Sequence, residues 1–293
     1  MAGMRTRWFS ITSIAAALLL FLSFVAAAQT YRVRLTRPWR VGDRYRISAT
    51  GWTAQESSTT TSRHTLEKAV KFLAEGTVLE VRRDGRIATE SLTIDECLAS
   101  SGGRAQRLVP RGAVVVVSAE HGKQVFRMNG STVSSEIDDV LSMIVSIEAG
   151  ETSNDDVFGT PRLRRVGETW AVNAPSAVRW LREAHLYVNQ EDIKGSASAM
   201  KRVVAENEDC LVIDASLVTD KLSGDVNGRK VQAGRVEVNV TGTFPINTSR
   251  HCVEQSQHIT IHLLSEGNSA PGSTDRGIDF KSELQMTAYY TLL

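Results

Sequence analysis

Cysteine is scarce here, three in 293 residues, and no Cys-x-x-Cys or His-x-His spacing occurs, which excludes ribbon, finger and thioredoxin-type arrangements. No Gly-x-Ser-x-Gly elbow is present. No Ser-x-x-Lys lies in a helical context, and Cys97, Cys210 and Cys252 lack a Cys-Gly setting, so the local signatures of nucleophilic catalysis are missing. The Gly102-Gly103 segment is not followed by the Lys-Ser or Lys-Thr of a phosphate cradle. Charge of one sign is missing too. With 34 Lys and Arg against 33 Asp and Glu, the chain carries no basic excess of the kind that binds nucleic acid.

The first 28 residues do have a clear pattern. Arg5 and Arg7 precede the apolar run Ile14 to Val25, which ends in Ala26-Ala27-Ala28-Gln29. This reads as a secretory signal cleaved after Ala28, and an uncleaved N-terminal membrane anchor is the alternative. Cleavage removes two arginines and no acid, so the formal charge falls from +1 to −1. The expected location is exported, periplasmic or extracellular. Export permits a disulfide. Cys210 and Cys252 are the candidate pair, because both fall in expected strands, with three buried thiols as the alternative.

The mature chain, residues 29–293, reads as mainly β (α+β) and as one domain. Its alternative is two related halves, 31–164 and 165–293. Apolar residues alternate over Val33, Leu35, Val41, Tyr45 and Ile47, and again over Leu66, Val70, Phe72 and Ala74. A shift of parity to Leu79 and Val81 predicts a β-bulge at Gly76. Asp84-Gly85, His121-Gly122, Asn129-Gly130 and Asn227-Gly228 mark hairpins, and a polar turn is expected at Asn207-Glu208-Asp209. Val236, Val238 and Val240 alternate with polar neighbours, as do Ile259, Ile261 and Leu263. The longest pattern runs from Ile278 to Leu292 on even positions. Strands of this length favour a curved sheet, an open barrel or a sandwich.

Two short helices are expected. One is capped at Ser135 with Asp138, carries Ile137, Val140, Leu141, Ile144 and Val145, and stops at Gly150. The other opens at Asn173-Ala174-Pro175.

The candidate chemistry is sparse. His258 and His262 share a strand face, but four residues along a strand span roughly 13 Å, too far for one metal ion to take both unaided. Asp138-Asp139 sits at a helix start, where negative charge is favourable, and Asp155-Asp156 is expected in a loop. Trp39, Trp52, Trp170 and Trp180 suit core packing better than a sugar platform. Three glycosylation sequons, at Asn129, Asn239 and Asn247, matter only on a eukaryotic secretory route. No catalytic residue, cofactor or metal is assigned.

One pattern occurs twice. Arg40-Val41-Gly42-Asp43-Arg44-Tyr45 and Arg165-Val166-Gly167-Glu168-Thr169-Trp170 share Arg-Val-Gly-acid-x-aromatic, a tight turn feeding a strand. With the Gly-punctuated strands behind these motifs, the chain resembles exported bacterial proteins of a β-rich domain of unknown function. The resemblance implies no activity and no catalytic residue. The expected function is non-enzymatic binding of a hydrophobic ligand or a cell-envelope protein. The alternatives are an assembly module using a sheet edge, and an envelope hydrolase gathering His258 or His262 with acids.

Overall fold

The computed structural model describes residues 29–59, 62–226, 229–265 and 278–293. The expected leader and the Asn227-Gly228 turn lie outside the described residues. Fifteen strands follow one another among the described residues. The first seven are β1 (Arg44–Ser58), β2 (Arg63–Val81), β3 (Ile87–Ser101), β4 (Arg104–Arg107), β5 (Val114–Glu120), β6 (Lys123–Met128) and β7 (Ser131–Thr132). The remainder are β8 (Thr169–Ala171), β9 (Leu186–Tyr187), β10 (Lys194–Ala205), β11 (Glu208–Thr219), β12 (Ser223–Val226), β13 (Arg229–Pro245), β14 (Glu254–Ser265) and β15 (Asp279–Leu292). Helices α1 (Ser135–Ser142), α2 (Asn154–Phe158) and α3 (Ala174–Glu183) interrupt them.

All the strands join one antiparallel sheet, with the path β7-β6-β5-β3-β2-β1-β15-β14-β13-β11-β10-β8. The path ends at β7 and β8 without closing, so the mainly β expectation resolves as an open sheet. The last strand pairs with the first over their whole length, from Tyr45 opposite Leu292 to Ser58 opposite Asp279, and this ladder fuses the two halves.

Two apolar clusters lie on the inner face. One gathers Tyr45, Phe72, Leu92, Ile94, Val117 and Phe126 with Val140, Leu141 and Ile144 from α1 and the loop after it. The other gathers Trp170, Ile213, Leu217, Val236 and Val238 with Phe158 of α2 and Leu181 of α3. Tyr31, Val33 and Leu35 are buried in this second cluster although they precede β1. Residues 31–39 therefore strap one half to the other, tied by Tyr31 N to Arg164 O at 2.7 Å and Trp39 N to Gly85 O at 2.9 Å.

The repeated turn is built the same way twice. Gly42 has φ +91° and Gly167 φ +88°. In each, the acidic side chain accepts from the backbone three residues back, Arg40 N to Asp43 at 2.8 Å and Arg165 N to Glu168 at 3.0 Å. Each turn also exchanges two backbone bonds with a neighbouring strand, at Val78 in one case and Ala199 in the other. A Cβ at either glycine would meet nothing within 4 Å, so the cost of alanine is conformational alone. Gly42→Ala and Gly167→Ala should each destabilise by about 1–2 kcal/mol, and by the same amount, as read from urea unfolding midpoints.

Several sequence expectations shift. The bulge falls at Leu79, not Gly76: Val78 faces Glu90 and Glu80 faces Thr89, which leaves Leu79 as the extra residue, 42% exposed. Gly76 is there for a different reason, since a Cβ on it would stand 2.3 Å from the ring of Tyr45. Ser134, not Ser135, caps α1, accepting from Ile137 N at 3.4 Å. That helix ends at Ser142, and Ile144 and Val145 are buried in the loop beyond. The expected loop at Asp155-Asp156 is α2, capped reciprocally by Ser153 and Asp156. The polar turn before β11 sits at Glu206-Asn207, both at positive φ. Asn173 caps α3 as expected, and His121-Gly122 and Asn129-Gly130 turn at positive φ as the hairpins require.

Candidate functional site

Where the two clusters meet, the lining turns from apolar to polar around a cavity of about 130 Å³. The strap supplies Thr36, Arg37 and Trp39, β1 supplies Tyr45, Arg86 comes from just before β3 and Glu90 from β3 itself. Glu148 lies in the loop after α1, His251 and Cys252 lie before β14, and Gln255, Gln257, Met286 and Tyr290 reach in from β14 and β15. A second cavity of about 170 Å³, lined also by Glu206, Glu208, Arg250 and Leu292, shares Trp39, Tyr45, His251, Cys252 and Tyr290 with the first. These five side chains form the wall between the two.

The wall is aromatic and closely packed. His251 stacks on Trp39 at 3.5 Å between ring centroids and 12° between planes. Tyr45 stands 5.1 Å from Trp39 and 6.0 Å from Tyr290. The Tyr45 hydroxyl donates to Glu90 Oε2 at 2.5 Å. Burial pushes Glu90 up from 4.5 to about 7, offset in part by that bond. Glu148 is likewise raised to about 7 by burial, while Thr36 donates to it at 3.1 Å. His251 is lowered to about 4 by burial, with the Asp43 carboxylate 3.6 Å from Nε2 acting against that.

The two buried arginines serve the backbone. Arg86 donates to the carbonyls of Glu148, Gly150 and Glu151 at 2.9–3.1 Å and pairs with Asp84. Arg37 donates to the carbonyls of Pro245 and Asn247 and lies over the Phe244 ring at 5.5 Å.

What remains unused is informative. Arg37 Nε and His251 Nδ1 are buried without a hydrogen-bond partner among the described residues. The half-buried Gln255 and Gln257 amides and Tyr290 hydroxyl also bond to no described residue, but are not among the fully buried unpaired atoms. Two of the four buried unpaired side-chain atoms among the described residues thus belong to this lining, the others being Arg164 Nε and Thr219 Oγ1, and such atoms are usually met by water or a ligand.

No family model and no curated protein matches this chain. Among solved structures, the translocator domain of the autotransporter NalP from Neisseria meningitidis is 8% identical, with 96% of this chain and 98% of that one covered, at a TM-score of 0.19. OccK11 (OpdR) of Pseudomonas aeruginosa is 8% identical over 90% and 100% of the two chains, also at 0.19. A putative outer membrane lipoprotein-sorting protein domain from Vibrio parahaemolyticus is 8% identical over 87% of each, at 0.13. Similarity at this level assigns neither fold nor function.

The residues singled out in the sequence are dispersed. His258 and His262 lie on the outer face of the sheet, where each meets one carboxylate, Glu283 at 3.0 Å and Asp279 at 2.7 Å. Their side chains are about two-fifths exposed, so no cleft gathers them. No group of three His, Cys, Asp or Glu suited to a metal occurs among the described residues. Asp139 pairs with Lys68 at 3.0 Å, Asp156 caps α2, and Asp155 accepts from Leu35 N at 2.5 Å, fastening the strap.

Cys210 and Cys252 do not form the expected bridge in this structure, where all three cysteines are thiols. Cys252 donates to Glu254 O at 2.8 Å and Cys210 to Glu208 O at 3.5 Å. The β11–β13 register sets Cys210 opposite Pro245, whereas Cys252 reaches Thr243 O, two residues along. Of the described tryptophans, Trp170 is buried and donates to Phe158 O at 2.8 Å, Trp180 packs on the second cluster, and Trp39 alone reaches the cavity.

Sequence reasoning passed over Glu90, Gln255 and Gln257, although a signal was available. Glu90 shares parity with the buried Leu92 and Ile94, and the glutamines share parity with Ile259, Ile261 and Leu263. Polar residues on an inward parity are the mark of a lined cavity.

Proposed function

We propose that this chain is an exported, non-enzymatic binding protein whose ligand lodges in the cavity between the two apolar clusters. The observation that carries this is a cavity lined by polar groups with no described hydrogen-bond partner, from Gln255, Gln257, Tyr290, His251 and Arg37, of which Arg37 Nε and His251 Nδ1 are fully buried. A lipid-sized ligand has less support. The inner face of the sheet is filled by α1, α2, α3 and the strap, and about 130 Å³ falls short of the roughly 300 Å³ usual for small-molecule sites. Joined with its neighbour across the aromatic wall, the cavity comes to the lower edge of that range.

The chemistry of the lining favours binding over catalysis. Burial pushes the Cys252 thiol up to about 12 and it is spent on a carbonyl, so it is no nucleophile at neutral pH. The sheet-edge alternative is opposed by the edges themselves. Beyond its three pairs with β8, strand β10 carries a bulge at Met200 followed by Lys201 and Arg202, devices that discourage a further strand.

The test is mass spectrometry of aqueous and organic extracts from the mature protein, purified from its native host without detergent. One small polar compound per chain is expected. Gln257→Leu keeps the volume and removes one polar partner, so it should weaken retention about five-fold, the worth of one buried hydrogen bond. A stoichiometric lipid, or retention indifferent to Gln257→Leu, would defeat the assignment of the site.

A further inference from the structure

We infer that the outer face of the sheet carries a second site, an uncharged track across the strands that binds a neutral linear polysaccharide. It is separate from the cavity, which lies on the inner side of the sheet.

Trp52 is expected in the core from its sequence, yet it belongs to neither apolar cluster. It alternates on β1 with the buried Ala49, Gly51 and Thr53 and so points outward. Its indole N–H bonds to no described residue. A large ring on a wet sheet face, with an unpaired donor at its edge, suits an interface better than a core.

The register sets what stands beside it. Ala69 lies opposite Trp52 on β2, with Ser100 beyond it on β3. On the other side come Gln285 of β15, His258 of β14 and Asn239 of β13. Six strands thus present one row, roughly 24 Å long at the usual strand spacing. The small Ala69 keeps the floor low beside the indole, and an open depression of about 490 Å³ is bounded there by Trp52, Glu67, Ala69 and Ser100. A second, of about 320 Å³, is bounded by Asn239, His258 and Gln285 with Thr241, Ser256 and Thr287 of the next row. Gln285 borders this second depression and faces Trp52 in the ladder, so the two lie side by side.

Charge selects the occupant. From β1 to β13 the row and its neighbour, Thr50, Thr287, Ser256 and Thr241, carry no Lys, Arg, Asp or Glu. Charged residues border this band and are already paired, Arg46 with Glu75, Lys71 with Glu96 and Lys281 with Asp279. A polyanion therefore finds no free cation among the described residues here. Glu283, which a polycation would seek, is held by His258 and Gln285. What the band offers is hydroxyls, amides and one indole, a match for a chain of hydroxylated rings with flat C–H faces. In a β-1,4-linked chain each ring advances by about the distance between neighbouring strands, roughly 5 Å, so successive rings meet Trp52, Gln285, His258 and Asn239 in turn.

The experiment is affinity electrophoresis of the mature chain in hydroxyethylcellulose, galactomannan and dextran, which are neutral, and in carboxymethylcellulose and polygalacturonate, which are anionic. At least one neutral polymer should retard the chain, and more strongly than either anionic one. Trp52→Ala should weaken that binding at least about ten-fold, the loss of a stacking ring, and Trp52→Phe should weaken it less. Gln285→Ala leaves the indole in place and should cost about three-fold. Tyr187→Ala, which removes an exposed aromatic on β9 outside the row, should change nothing. Tryptophan fluorescence should shift on binding in the parent and not in Trp52→Phe. If Trp52→Ala does not fold, Gln285→Ala and the fluorescence shift decide.

Tighter binding of an anionic polymer would overturn the inference, as would neutral binding that ignores both Trp52→Ala and Gln285→Ala, or no retardation by any of these polymers. None of these outcomes bears on the cavity, whose own test is retention by Gln257→Leu.

Discussion

Arg86→Ala should be among the most damaging single changes in this chain, lowering the unfolding free energy by about 3 kcal/mol. Only 4% of Arg86 is exposed. Its guanidinium donates to three carbonyls of the loop after α1 and pairs with Asp84. Arg82 also reaches Ala149 O and Gly150 O, so it retains part of the grip. Glu151 O, however, is bonded by Arg86 alone among the described residues. Arg86→Lys should recover little, because an ammonium is a point donor and cannot fork across three acceptors. Arg82→Ala should cost less than Arg86→Ala, since Arg82 lies nearer to solvent. Urea unfolding gives the free energies, and limited proteolysis between 146 and 152 reports the loop directly. An Arg86→Ala protein within about 0.5 kcal/mol of the parent would mean that packing of Ile144 and Ile147 holds the loop without the fork.

How far the sequence discloses this arrangement can be judged from particular residues. The strands were legible wherever one face is buried and the other wet, as in Val236, Val238 and Val240 or along β15, because period-two burial is written directly in the residue types. The same rule misled at Gly76. Parity alone shows that an extra residue exists between Ala74 and Val81, and only the cross-strand partner shows that it is Leu79. Helix α2 was missed because five residues carry too little periodicity to register, although Ser153 with Asp156 is a capping pair. The site was the least legible part. The cavity needs the strap beside β14 and β15, contacts separated by more than 200 residues, and no local pattern announces them. Reactive residues declare themselves by spacing, whereas the cavity is lined by amides and hydroxyls such as Gln255, Gln257 and Tyr290, which carry no spacing signature.

That contrast also explains why His258 and His262 drew attention in the sequence while His251 did not. The first two are spaced on one strand and look like a pair, but the register sets them opposite Gln285 and Lys281, and each reaches diagonally to a separate carboxylate, Glu283 or Asp279, on open sheet. His251 is solitary in sequence and becomes significant only when Trp39, 212 positions earlier, covers its ring.

Replacing Glu90 by glutamine should make the protein more stable at pH 8 and leave it nearly unchanged at pH 4. Glu90 is 1% exposed and titrates at about 7 in the fold against 4.5 when unfolded. Below 4.5 the carboxyl is protonated in both states, and its contribution to stability is fully present. Between 4.5 and 7 the unfolded chain ionises while the folded one resists, so stability is lost as pH rises; above 7 the loss is complete. A difference of this size corresponds to about 3 kcal/mol. Glutamine keeps an oxygen for the Tyr45 hydroxyl and cannot ionise, so it removes this share of the decline. Glu148 adds a decline of the same sign, and the variant should therefore keep a shallower slope of its own. His251 acts in the opposite direction: lowered to about 4, it stays neutral in the fold and costs stability as pH falls from 6.5 through 4. Unfolding midpoints at pH 4, 6 and 8 for the parent and Glu90→Gln test the whole scheme. Parallel curves would mean that Glu90 ionises in the folded protein near 4.5, as it does in the unfolded chain, and that burial does not raise it.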